Sequence, residues 1–350
     1  MNILDYVQMR GDVTFAKSPF NEVDAAVLGV FASVNLDEIT AGKPTISDLV
    51  TRYMNAKNEK DMRDGRLDEK ENLIQMMSTS PRYAKIRLLS FEKVIDREKE
   101  MTFYAAQFQI NPFRRLVTFR GTDGYLISWK ENFNTLYQFP TPGQNQAVKY
   151  IDGIKLKFWE KLILSGHSKG GNLACYSGAF CNESIYNKIE KIYIFDGPGF
   201  ERDLSDDLRM KNIIPKICSF IPESSLIGRL MYVPYESKVV KSEGNGIYQH
   251  DIYNWHVGPC GFVQTSGVDG FSDGISTKVN DWIAGIPEDR RAEVVSELFA
   301  VFEKVGIDHA DKFTNLNIKT LISLLMGVRS LSSESIKLLI IIIKEVKAAH

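Results

Sequence analysis

An apolar run at residues 162–164 leads directly into Gly166-His167-Ser168-Lys169-Gly170-Gly171, and apolar residues resume at Leu173, Ala174 and Tyr176 with helical spacing. The order predicts strand, tight turn, helix. A G-x-S-x-G block in that setting places a serine on a strained turn, where the positions two residues away must be small. Gly166 and Gly170 meet that need, and Gly171 lets the helix pack close to the strand. Ser168 is therefore the candidate nucleophile, with a helix N-terminus beneath it and the Lys169 amide facing any oxyanion.

Runs of strand type at 86–94, 101–109 and 115–119 precede this block, with Asn111-Pro112 as a hairpin turn between the second and third. The third ends on Phe119-Arg120-Gly121-Thr122. A loop and an amphipathic helix at 144–158 lead to the elbow strand. After it come 191–195, ending on Asp196-Gly197-Pro198-Gly199, then 217–221, ending on Pro222-Glu223, and 238–240 before a glycine-rich turn. Strands alternating with helices predict an α/β chain with a mostly parallel sheet covered by helices.

The flanks read as helical. Residues 20–31 carry apolar positions on one face, with Asn21 as N-cap and Asp24 closing a capping box. Residues 52–71 are dense in both signs of charge and suit a solvated helix or loop. Helices are expected at 292–305, 318–328 and 333–349. The expected organisation is an N-terminal helical segment at 1–80, a core at 81–275 and a C-terminal helical extension at 276–350. That extension would pack on the sheet or form a homodimer.

Serine chemistry needs a base, a carboxylate that orients it, and donors for the oxyanion. The sequence has five histidines. His167 adjoins the nucleophile, where elbow geometry turns its side chain away, and reads as packing; His309 and His350 fall in the tail. His250, in a loop-like stretch, is preferred to His256. The acid is Asp196, directly after the strand that follows the elbow, with Glu223 as the alternative. Against Glu223 stand Pro222 and a Ser224-Ser225 sequel that resembles a helix cap.

These residues carry a family resemblance. Phe119-Arg-Gly-Thr122 with Trp129 downstream, then Gly166-His-Ser-Lys-Gly-Gly171, then His250 with Trp255 five residues on, resemble the class 3 lipase branch of the α/β-hydrolase superfamily, and more closely a bacterial lipase-like group sharing those blocks. The resemblance spans about residues 84–258 and implies an α/β-hydrolase fold. It also implies an oxyanion donor at Thr122, beside the Lys169 amide, and hydrolysis of a lipid, acylglycerol-like or other carboxylic ester. Lys169 departs from the pattern, since those lipases usually carry an apolar residue there. Its cation would hold an anionic substrate group or reach solvent, and it argues against neutral triglyceride. A non-catalytic interaction protein, or a peptidase or thioesterase with the same triad, are the rival readings.

Composition narrows the field. With 44% hydrophobic and 25% charged residues and a net charge of -1, nothing suggests nucleic acid or an anionic membrane as the main partner. The first residues resemble no secretory leader and the apolar run at 338–343 is too short to span a bilayer, so a cytoplasmic location is expected. No metal or organic cofactor is implied. Cys175, Cys181, Cys218 and Cys260 form no C-x-x-C pair and read as reduced packing residues.

Overall fold

The computed structural model describes residues 1–34, 36, 39–56, 68–307, 331–337 and 340. Side chains alternate across the central strands as a period of two requires. Leu162, Leu164, Ile192 and Ile194 enter one core cluster, while Ile163, Tyr193 and Phe195 enter the other. Strands buried on both faces read as continuous apolar runs, which is why they were visible in the sequence.

Seven strands pair in chain order: β1 (Arg87–Asp96), β2 (Met101–Asn111), β3 (Arg114–Phe119), β4 (Lys161–His167), β5 (Ile189–Phe195), β6 (Ile217–Pro222) and β7 (Ser237–Val240). The first three are antiparallel, with β2 and β3 joined by the tight hairpin at Pro112, and β3 through β7 are parallel. With helices on both faces this is an α/β fold, and the C-terminal ends of the parallel strands open on one side, where such sheets carry their chemistry.

One face is covered by α1 (Ile3–Arg10), α2 (Glu22–Ala32), α3 (Ile46–Ala56) and α4 (Glu69–Thr79), whose apolar residues share a single core with Phe108, Phe195 and Trp255. Asn21 caps α2, and Asp24 completes the predicted box. Asp24 is also fully buried against Arg82, at 2.7 and 2.5 Å, and accepts from the Tyr83 hydroxyl at 2.6 Å. Arg82 spends its remaining donors on the carbonyls of Val13, Ser18 and Pro19, so one buried ion pair fixes the N-terminal loop.

Between β3 and β4 lie α5 (Leu126–Asn134) and α6 (Pro142–Asp152). The first of these was expected as loop, and the second was expected to start two residues later and to end six residues later than it does. α6 starts from a Thr141–Gln144 capping box, and the chain leaves the helix at Gly153. After β4 come α7 (Lys169–Phe180), α8 (Glu183–Tyr186) and α9 (Leu208–Ile213), with α10 (Gly270–Gly285) and α11 (Glu288–Lys304) towards the end. α11 does not dock on the sheet. Its Leu298, Phe299 and Phe302 pack against Leu126, Trp129 and Phe133 of α5. The helix expected at 318–328, most of that expected at 333–349, and the charged stretch 57–67 lie outside the described residues, as do His309 and His350.

No disulfide joins the four cysteines. Cys175 and Cys181 are buried, Cys218 is partly so, and Cys260 is exposed, so packing does not account for the last. Among the described residues no helix is long and apolar enough to cross a membrane, and no three His, Cys, Asp or Glu side chains gather to hold a metal ion.

Candidate active site

Ser168 sits between β4 and α7 with φ +56° and ψ −130°, a backbone conformation that costs a non-glycine residue on the order of 1–3 kcal/mol and persists only where the surroundings enforce it. The enforcement is visible. The Ser168 amide donates to Phe195 O at 2.9 Å, and the Gly171 amide closes back on Ser168 O at 2.9 Å. A Cβ on Gly166 would collide with the Gly170 peptide, and one on Gly170 with Phe119 O, so β4, the elbow and the end of β3 touch backbone to backbone. Gly121 is part of the same contact, since a Cβ there would stand 2.8 Å from His167 O and 3.3 Å from Ser168 Cβ.

Asp196 ends the neighbouring strand, also at positive φ (+46°). It is 1% exposed, and its carboxylate is shared among three partners: Oδ1 accepts from Ser225 Oγ at 2.5 Å and Gly228 N at 3.0 Å, while Oδ2 lies 2.6 Å from His250 Nδ1. A carboxylate bonded this way fixes Nδ1 as the protonated nitrogen of His250 and leaves Nε2 as the acceptor. Among the described residues Nε2 has no hydrogen-bond partner, and no hydrogen bond joins it to Ser168 Oγ.

The loop that brings His250 in is held by Trp255, fully buried, whose indole donates to Gln249 O at 2.7 Å. Gln249 in turn accepts from Ser224 N at 2.6 Å and donates to Gly244 O at 2.9 Å. The ring of His167 stacks on that of His250 at 4.5 Å between centroids, and its Nε2 donates to His250 O at 2.8 Å. Burial, then the neighbouring His250, push the His167 pKa down to about 3, so it stays neutral.

The Phe119-Arg-Gly-Thr122 turn lies against the elbow, and Thr122 Oγ1 accepts from Asn132 Nδ2 at 2.5 Å, which leaves its own proton free to donate. Residues 77–300 match the family Mbeg1-like. The chain belongs to that lipase-like family. Among solved structures this Mbeg1-like chain is similar to M37 lipase, 13% identical over 61% of this chain and 70% of that one, with a TM-score of 0.37. A comparison with curated proteins found no match.

Not every sequence-predicted residue of the Mbeg1-like chain comes together. Glu223 stands apart from His250: its Oε2 accepts from Ser242 N at 3.3 Å, and its main-chain carbonyl accepts from Asp269 N. Ser225 is no helix cap, because its hydroxyl is spent on Asp196. His256 pairs at 2.5 Å with the exposed Glu243.

The largest correction concerns Lys169. Its side chain neither faces a ligand nor reaches solvent, being 7% exposed with Nζ at 2.6 Å from Glu131 Oε2 and bonded to Thr102 O and Oγ1. The argument against a neutral ester therefore falls. Sequence reading also passed over Asn172, three residues further along α7. It accepts from Gln144 and donates to Gly199 O at 2.7 Å, so it ties α6 to the loop after Asp196. Its position next to Gly171, on the face one turn from the serine, was the available signal.

Proposed function

We propose that this Mbeg1-like protein is a serine hydrolase that cleaves carboxylic esters, lipid or acylglycerol-like, through an acyl-enzyme. The observation that carries the reading is the 2.6 Å approach of Asp196 Oδ2 to His250 Nδ1 beside a serine held at positive φ. Membership of a lipase-like family supports a hydrolase over a binding protein of the same fold.

In this reading Ser168 Oγ attacks the ester carbonyl carbon and its proton passes to His250 Nε2. Asp196 stabilises the imidazolium and holds its orientation. The negative charge on the former carbonyl oxygen meets the Lys169 amide and Thr122, donors fixed before the reaction begins. Collapse expels the alcohol, which takes the proton from His250, and water enters by the same route to release the acid. The bond from Ser168 to His250 closes as substrate binds; such bonds are often long or open without it.

Pre-steady-state hydrolysis of a short p-nitrophenyl ester tests this. A burst of one p-nitrophenolate per protein, absent from Ser168→Ala, is the expected result. Steady turnover that Ser168→Ala retains would contradict it.

A further inference from the structure

Three residues of α5 point to the elbow side at spacing i, i+3, i+4, which puts them on one face of the helix: Ser128, Glu131 and Asn132. Each grips a different part of the site. Asn132 donates to Thr122 Oγ1. The Ser128 hydroxyl lies 2.5 Å from Asp123 Oδ1, next to Thr122, and 2.8 Å from the Thr102 hydroxyl. Glu131, 2% exposed, binds Lys169 Nζ at 2.6 Å and accepts from Thr102 N and Oγ1 at 2.9 Å. The Glu131 carboxylate lies close over Gly143, where a Cβ would press on Oε1 and one of the two would have to shift. That oxygen lies against the first turn of α6, whose dipole favours its charge.

We propose that the buried Lys169–Glu131 pair is a positioning device that sets the two oxyanion donors relative to each other, with α5 as their common support. Lys169 anchors its own amide through its side chain, and the same helix holds Thr122 through Asn132 and Asp123. A cation at the position after the nucleophile, which looked like a substrate contact, is thereby a brace. The proposal rests on the serine-hydrolase reading and adds a claim about which groups set its rate.

Ion pairing alone would also stabilise the fold, so the test separates the two roles. Glu131→Gln or Lys169→Met leaves a buried charge without its partner and lowers the thermal midpoint, whereas the double variant removes both charges and recovers most of it. For the double variant the proposal expects kcat on a short p-nitrophenyl ester to stay about 100-fold down, the scale of one lost oxyanion donor, with KM within about threefold. Affinity for a trifluoromethyl ketone, whose adduct carries the oxyanion, should fall by the same factor as kcat/KM. Asn132→Ala, a substitution that suits a helix, should fold normally and lose about tenfold in kcat. An active wild-type protein whose double and Asn132→Ala variants keep wild-type kcat and ketone affinity overturns the brace alone. A wild-type protein that neither hydrolyses the ester nor binds the ketone overturns the hydrolase reading, and the brace with it.

Discussion

His167 lies on His250, ring centroids 4.5 Å apart, and donates from Nε2 to the main-chain carbonyl of the residue it stacks against. A carbonyl can only accept, so the tautomer of His167 is fixed with its proton on Nε2. The residue next to the candidate nucleophile thus steadies the candidate base without reaching the hydroxyl.

Its depressed pKa has a consequence for stability. The unfolded chain takes up a proton on His167 near pH 6.5, but the native protein resists until about pH 3. The unfolded state binds more protons across that window, so stability falls as pH drops through it, by at most about 1.4 kcal/mol per unit. In His167→Gln, which retains a donor for His250 O, the dependence of unfolding free energy on pH between 4 and 6.5 should be shallower by up to one proton. Equal slopes by urea denaturation would contradict the assignment.

The two candidate acids give opposite expectations. Asp196→Asn should lower kcat on the order of 10⁴-fold, because the tautomer of His250 is no longer enforced. Glu223→Gln, whose carboxylate accepts only from Ser242 N among the described residues, should stay within about twofold. Steady-state kinetics on one ester decides, and a reversed ranking would move the acid to Glu223.

The Asp24–Arg82 pair lies across the sheet from the elbow helix and belongs to the fold. Arg82→Met strands a fully buried carboxylate and should cost about 3–5 kcal/mol in denaturant unfolding while kcat, measured well below the transition, is unchanged. A loss of rate at intact stability would show that the N-terminal helices reach into the chemistry.

How much of this could be read from the sequence follows from the physics of each element. The places of the candidates Ser168, His250 and Asp196 in the fold were legible because strand ends and glycine turns leave local signatures, and because the apolar runs of β4 and β5 mark where those ends fall. α5 was not legible. Its inward face is polar, with Ser128, Glu131 and Asn132 bonded to the site, so the apolar stripe that identifies a helix is displaced to the side facing α11. The fate of Lys169 was hidden for the same reason, since its counter-ion stands 38 residues away on that unrecognised helix. Asp196 and Glu223 could not be separated by strand position alone; the groups that hold the Asp196 carboxylate, Ser225 and Gly228, lie about 30 residues beyond it and meet it only through β6.

The central claim is that Ser168 is an activated nucleophile, and covalent labelling tests it most directly. Incubation with a fluorophosphonate followed by mass spectrometry of the digested protein should place a single adduct on the peptide carrying Ser168. His250→Ala should slow that labelling by orders of magnitude, His256→Ala should not, and Ser168→Ala should abolish it. An unmodified Ser168 in folded wild-type protein, or labelling at the same rate with His250 removed, would contradict the account.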